Sequence, residues 1–376
     1  MGLKKIRRLV YLAPVALHSP AQRPHHFVLW AQQALGCHVI WIDPNPSRLP
    51  HWSDWRRLKT QNLKALGPSW AQDGWLTQLK LRALPLEPFA VGRLANQWLQ
   101  RRQLHAIKAL LAQEDCWLVI GRPSALALQL CQGSKADRVL YDVMDNTPAF
   151  SSGKASSWMR HMHRNLSHLA GHIWCSASKL HEQLRTASGR EAVLVRNGSD
   201  LRPVPRQGAA TPPWILGYVG TIASWFDWTW IVKLATSVPQ VELRLYGPLM
   251  TSVPRDLPSN VLCFSAVRQE DVATLMGQWH AGLIPFKKNN LTASVDPVKY
   301  YEYRSTGLPV LSTRFGDMKQ HSSDDGLWFL EDLSLPSVPD RLGQWWCRPI
   351  SERVKVGTTW HENFNEGARA IGWLSA

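Results

Sequence analysis

Short apolar runs separated by amphipathic stretches leave this chain few architectures. In its first half Arg8 to Ala13, Val39 to Ile42 and Trp117 to Ile120 read as strands, with helices expected over about 24–35 and 93–112. Val139-Leu140-Tyr141-Asp142-Val143 and Ile173-Trp174-Cys175-Ser176 read as further strands. Runs this short and this apolar suit strands buried on both faces, and their alternation with helices predicts a parallel, doubly wound sheet. Such sheets bind ligands beyond the carboxyl ends of their strands, so polar residues just past a strand are the ones to watch.

At 376 residues the chain exceeds what one hydrophobic core usually supports, and two domains are expected. Asn197-Gly198-Ser199-Asp200 makes a turn, and Pro203, Pro205, Gly208, Pro212 and Pro213 follow as a proline-rich connector. This sets a first domain at 1–199 and a second from 200 onward.

The second domain carries the most telling segment, Asp296-Pro297-Val298-Lys299-Tyr300-Tyr301-Glu302-Tyr303-Arg304-Ser305-Thr306-Gly307-Leu308-Pro309-Val310. It reads as a polar loop, an amphipathic helix started by Pro297, a left-handed stop at Gly307 and a buried strand. Lys299 and Glu302 fall near the helix N-terminus, where backbone N–H groups already attract phosphate. A cation for a diphosphate and a carboxylate for ribose hydroxyls fit there.

This segment resembles the donor-binding signature of GT-B glycosyltransferases, especially the family-4 type and relatives that assemble bacterial cell-surface polysaccharides. Glu302, five residues before Gly307, matches the glutamate that holds the nucleotide ribose. Gly217-Tyr218-Val219-Gly220-Thr221 looks like the first strand and glycine turn of the donor domain. Leu245-Tyr246-Gly247-Pro248 resembles its mid-sheet strand end, and Ala281-Gly282-Leu283-Ile284-Pro285-Phe286 the strand entering the donor loop. The resemblance implies an α/β GT-B fold, two Rossmann-like doubly wound domains facing a central cleft. It also places a donor domain at 200–355 and a closing helix within 356–376 that crosses back to the first domain. Ser294 stands where these enzymes usually carry a second glutamate, and Thr221 and Asp227 replace their usual arginine and lysine clamp. Phosphate charge then falls to Lys287, Lys288 or Lys299. The implied donor-binding set is Gly220, Thr221, Tyr246, Lys287, Ser294, Asp296, Lys299 and Glu302.

Two first-domain motifs carry chemistry. Tyr141-Asp142-Val143-Met144-Asp145-Asn146 puts two carboxylates at a strand end, and Asp145 is the candidate base that deprotonates an acceptor hydroxyl. Its alternative role is a helix cap. Arg23-Pro24-His25-His26 sits where the first strand gives way to the first helix, and resemblance to polysaccharide transferases makes Arg23, His25, His26 and Asp142 candidate acceptor or phosphate contacts; a structural role for His26 is the other reading. Histidines 161, 163, 168 and 172 lack the spacing of a metal site. No H-E-x-x-H, G-x-S-x-G, Walker A or G-x-G-x-x-G pattern is present, nor a D-x-D suited to a metal-bound sugar nucleotide. A metal-independent reaction without a cofactor is expected, with lysines and helix dipole stabilising the leaving diphosphate.

Charge is unevenly spread. Residues 1–200 hold 26 Lys and Arg against 12 Asp and Glu, a net +14, while residues 201–376 hold 17 against 16, a net +1. The basic half calls for an anionic partner. Nucleic acid is disfavoured, because no helix-turn-helix, zinc-finger or RNP-type pattern appears. Trp52, Trp55, Leu58, Leu63 and Leu66 interleave with Arg56, Arg57, Lys59 and Lys64, and Leu94, Trp98, Ile107 and Leu111 with Arg93, Arg101, Arg102 and Lys108. Helices of this kind lie on anionic membranes, or else pack their tryptophans inward. The six cysteines form no C-x-x-C pair, which suits reduced thiols in a cytosolic protein. Met1 to Pro14 imitates a signal peptide, but Pro14 and His18 interrupt the run, and a first buried strand is expected instead.

With these features, the resemblance implies a glycosyltransferase. It would move a sugar from a UDP- or GDP-type donor to a lipid-linked or growing glycan acceptor, bound peripherally at the inner face of the cytoplasmic membrane. The alternatives are a GT-B-fold sugar-nucleotide epimerase, which has no use for the tryptophan-bearing basic segments, and a non-catalytic glycan-assembly partner.

Overall fold

The computed structural model describes residues 6–46, 68–87, 89–203, 211–355 and 359–375. The chain divides into two compact units, one of Met1–Arg196 with Trp360–Ala376 and one of Asn197–Thr359.

Unit 1 holds strands β1 (Arg8–Leu12), β2 (His38–Ile42), β3 (Leu76–Leu79), β4 (Cys116–Ile120), β5 (Val139–Val143), β6 (His172–Cys175) and β7 (Val193–Leu194). Their order is β3-β2-β1-β4-β5-β6-β7, with every neighbouring pair parallel. The sixth and earlier positions follow the 3-2-1-4-5-6 order of a Rossmann sheet. Helices α1 (Arg23–Leu35), α2 (Ala90–Leu111), α3 (Ala125–Gln132), α4 (Gly153–Leu169), α5 (Ser178–Ser188) and α11 (Trp360–Ala370) complete the unit.

Period-two alternation sorts the strand side chains onto two faces. Val10, Leu12, Leu118, Ile120, Ile173 and Cys175 join an aliphatic core with Leu104, Ile107, Leu130 and Leu166 from the helices. Their strand neighbours Tyr11, Trp117 and Trp174 enter an aromatic layer with Phe27, Trp30, Phe364 and Trp373, at centroid distances of 5.1–6.5 Å. Phe364 and Trp373 bring the C-terminal segment into this layer, so α11 and the turn after it are part of unit 1.

Unit 2 repeats the scheme with β8 (Trp214–Val219), β9 (Val241–Tyr246), β10 (Val261–Phe264), β11 (Ala281–Ile284), β12 (Val310–Ser312) and β13 (Leu327–Phe329), ordered β10-β9-β8-β11-β12-β13 and parallel throughout. Helices α6 (Trp228–Ser237), α7 (Gln269–Met276), α8 (Val298–Ser305), α9 (Val338–Trp346) and α10 (Ile350–Arg353) accompany it. The segment 296–310 folds as its pattern predicts: Pro297 caps α8, Gly307 takes φ +86°, and β12 follows at Val310. Tyr300, Tyr301 and Tyr303 are all buried, and Arg304 forms a buried bidentate pair with Asp324, 2.8 and 3.1 Å.

Gly217, in the middle of β8, lets the indole of fully buried Trp279 lie against the strand, since a Cβ there would come within 1.9 Å of that ring. With no room for either group to retreat, Gly217→Ala overpacks the core, and urea denaturation should show a loss of about 2–3 kcal/mol.

Candidate functional site

In unit 2 the loops after β8 and β9 meet at two glycines. Gly220 has φ +141° and Gly247 φ +142°, a region that favours glycine. Gly220 N–H donates to the Tyr246 carbonyl (2.8 Å) and Gly247 N–H to that of Phe264 (3.1 Å). A Cβ on Gly247 would lie 2.1 Å from the Gly220 oxygen, so the two turns can stack only while Gly247 has no side chain.

Lys299 reaches this place from the first turn of α8. A Cβ on Gly220 would meet its Nζ at 2.7 Å, and the ammonium stands 5.3 Å from the centroid of the Tyr218 ring. Burial lowers its pKa and nearby Glu302 opposes the shift; burial likewise raises that of Glu302, with Lys299 opposing. The two stand three residues apart on one helix face, both half-buried, and neither side chain has a hydrogen-bond partner among the described residues. A partly desolvated cation beside bare backbone, with an acceptor carboxylate alongside, is chemically suited to a phosphate ester carrying vicinal hydroxyls.

The other expected donor residues have different surroundings. Tyr246 stacks between Phe264 (4.5 Å) and Trp279 (6.0 Å), and it meets the site through its carbonyl. Thr221 is half-buried, and its carbonyl accepts the Tyr218 hydroxyl at 2.9 Å. Lys287 is exposed, whereas Lys288 pairs with Glu331. Ser294 is buried with its hydroxyl unpartnered. Asp296 is buried too, accepting from Asn197 N–H (2.9 Å) and the Tyr301 hydroxyl (2.9 Å). Asp296 therefore fixes the loop before α8, a correction to its expected contact with the donor.

Unit 1 has a cavity of about 530 Å³ beyond the carboxyl ends of β1, β2, β4 and β5. Asp43, Glu87, Arg122, Asp145 and Trp158 are among its lining residues. Asp43 already accepts from Leu17 N–H (3.0 Å), Trp41 Nε1 (2.9 Å) and Gln78 Nε2 (2.7 Å), and Glu87 from Asn45 Nδ2 (2.8 Å). Asp145 differs, because its carbonyl starts the following turn through Thr147 N–H (2.8 Å) while its carboxylate caps nothing among the described residues. Asp145 lines the cavity, and loss of hydration pushes its pKa up to about 6, with Arg23 opposing and Asp142 reinforcing. A carboxylate tuned to that range can take a proton near neutral pH.

Arg23 and Asp142 do not share this cavity. They form a buried bidentate ion pair (3.1 and 3.0 Å), and Arg23 also donates to the Val195 carbonyl at 2.8 Å. With 4% and 0% of their side chains exposed, they tie α1 to β5 and the end of β7, which corrects the acceptor contacts expected of them. His25 is likewise used internally, accepting Gln22 N–H at Nδ1 (3.2 Å) while Nε2 meets the Leu17 carbonyl (3.0 Å). His26 stacks on Trp360 at 4.8 Å. Burial pushes both imidazoles down to about 4 and leaves them neutral. The sequence reading placed Gly247 at a strand end without giving it to the donor site, and it missed Glu87, Arg122 and Trp158. Arg122 lies two residues past β4, the one signal that could have found it; Glu87 and Trp158 carry none.

The first tryptophan-rich segment, Trp52 to Leu66, lies outside the described residues. The second is α2, where Leu94 and Trp98 are exposed and Ile107 and Leu111 buried.

No family model matches the chain. A putative teichuronic acid biosynthesis glycosyltransferase, TuaH, of Bacillus subtilis (strain 168) is 26% identical over 200 residues, covering 47% of this chain and 50% of that protein. The match thus spans about half the relative's length. Among solved structures, sucrose-phosphate synthase of Thermosynechococcus elongatus superposes with a TM-score of 0.59 at 14% identity, covering 97% of this chain and 94% of that one. Anabaena HepE, in complex with UDP and glucose, gives 0.58 at 12%, covering 99% and 100%. With two parallel sheets in Rossmann order and these neighbours across nearly its whole length, the chain has the GT-B glycosyltransferase fold.

Proposed function

We propose that this protein is a glycosyltransferase that moves a sugar from a nucleoside diphosphate donor of the UDP type to a membrane-linked glycan in cell-surface polysaccharide assembly. The observation that carries the reading is Lys299 seated against Gly220, with Glu302 on the same helix face. HepE, a structural neighbour, holds UDP, and the relative TuaH is described as acting in teichuronic acid biosynthesis; both support the reading.

In this mechanism the donor diphosphate lies along Gly220 with its charge met by Lys299 and the N-terminus of α8, and Glu302 accepts the ribose hydroxyls. The acceptor occupies the unit 1 cavity. Its hydroxyl oxygen attacks the anomeric carbon, the bond from that carbon to the β-phosphate oxygen breaks, and the electron pair leaves on the nucleoside diphosphate. Asp145 receives the hydroxyl proton. Positive charge from Lys299 and the helix serves the leaving group, so the reaction is read as metal-independent.

Lys299→Ala should weaken UDP binding by about 1–3 kcal/mol in calorimetry while changing uridine binding little, because the lost partner is the phosphate charge. Equal losses for both ligands would remove Lys299 from the diphosphate site. Glu302→Gln should instead weaken both by a similar amount, since both carry the ribose.

Asp145 provides a kinetic test. Its raised pKa means that the base form appears only as pH rises through about 6, so kcat/KM should fall on the acid side of that value. Asp145→Asn should remove turnover with UDP affinity unchanged. Near-normal turnover in that variant, measured by UDP release, would exclude it as the base.

A further inference from the structure

The first half of α2 is inside out. Its inward positions are Gly92, Asn96 and Gln100, all buried, while Val91, Leu94 and Trp98 face solvent at 78%, 66% and 65% exposure. Those three recur at the i, i+3, i+7 spacing of a single helix stripe. The reversal is built in by hydrogen bonds. Asn96 accepts from Leu84 N–H (2.6 Å) and donates to the Leu84 carbonyl (3.0 Å), and Gln100 Nε2 donates to Asn45 Oδ1 (3.2 Å). Gly92 makes room for the strap, since a Cβ there would come within 2.2 Å of the Leu86 oxygen. Held this way, residues 84–87 lie against the helix, and Leu84, Leu86 and Phe89 add to the exposed apolar surface.

The second half of α2 is ordinary, with Leu104, Ile107 and Leu111 buried in the aliphatic core. Amphipathicity therefore reverses within one continuous helix, and a soluble surface gains nothing from the reversed half. The charges around the stripe have one sign. From residue 80 to 108 there are six cations, Lys80, Arg82, Arg93, Arg101, Arg102 and Lys108, against the single acid Glu87, whose carboxylate is used by Asn45. Arg101 also sits 5.7 Å from the centroid of the Trp98 ring, an arrangement suited to a water–lipid boundary.

We infer that Leu84, Leu86 and Phe89, with the outer stripe Val91, Leu94 and Trp98, form a device that inserts into the headgroup region of an anionic lipid bilayer. It deepens the membrane-linked acceptor reading and rests on it for its purpose: Glu87 and Asn45, on the underside of the same device, line the unit 1 cavity, so the device would seat that cavity against the bilayer. Insertion of apolar side chains combines with headgroup attraction to the surrounding cations, each acting over about a Debye length.

The test is co-sedimentation of the full chain with vesicles of phosphatidylcholine containing phosphatidylglycerol, and of phosphatidylcholine alone. The wild type should pellet with the anionic vesicles and be released by salt. Leu94→Ser with Trp98→Ser should cut the partition coefficient by roughly tenfold or more, whereas Trp98→Phe should largely keep it. Arg101→Gln with Arg102→Gln should cut it on anionic vesicles alone by roughly tenfold. Serine variants that bind like the wild type, or a wild type that binds neither vesicle, would overturn the inference. So would a wild-type dimer in light scattering that the serine variants convert to monomer, since the stripe would then join copies of the chain. UDP calorimetry on the same preparations separates the two readings. Unimpaired UDP binding with failed sedimentation sinks only the membrane device, while absent UDP binding sinks the glycosyltransferase reading.

Discussion

The stacking of Gly247 on Gly220 is the constraint around which unit 2 is arranged. Two parallel strands end side by side, and their turns can approach to backbone contact only because Gly247 carries no Cβ, while the bare Gly220 makes room for Lys299. That leaves a strip of bare backbone at the carboxyl edge of the sheet, where a doubly wound fold presents ligands. Lys299 and Glu302 arrive there because α8 starts at Pro297 and its three tyrosines anchor it in the core. The burial that moves the pKa values of Lys299 and Glu302 in opposite directions leaves each charge short of solvation, and a bound ligand would restore it.

Unit 1 uses the same sheet for a different purpose. The strand ends of β1, β2, β4 and β5 surround a cavity whose carboxylates are mostly occupied by internal donors, whereas that of Asp145 has no hydrogen-bond partner among the described residues. Arg23 and Asp142 contribute at one remove. Their ion pair locks α1 onto β5 beneath the cavity, where a lone buried charge would cost about 3–5 kcal/mol if either partner were removed.

Much of this was legible in the sequence because parallel strands are apolar on both faces and helices between them are periodic. The 296–310 segment was readable as loop, helix, glycine and strand, since proline, glycine and buried tyrosines each have one strong local preference. Leu76–Leu79 was not, as Leu-Thr-Gln-Leu at a sheet edge carries too little apolar signal. Residues 316–337 gave no sequence pattern because they mix short 3-10 turns with a three-residue strand, β13. At the site, strand-end position identified Asp145 and the Arg23 motif, but pairing hides from sequence: Arg23 and Asp142 are 119 residues apart, and only the fold shows that each satisfies the other. Leu94 and Trp98 were read together with Ile107 and Leu111 as one stripe, and the structure splits them between opposite surroundings because Asn96 and Gln100 turn the first half of α2 over.

The role proposed for unit 2 stands or falls on a nucleoside diphosphate binding at the paired glycine turns, which a crystal structure of the protein with UDP would reveal. The diphosphate should lie against the Gly220 backbone within hydrogen-bond reach of Lys299 Nζ, with the ribose hydroxyls on the Glu302 carboxylate. A nucleotide bound elsewhere, or one that reaches neither side chain, would contradict it.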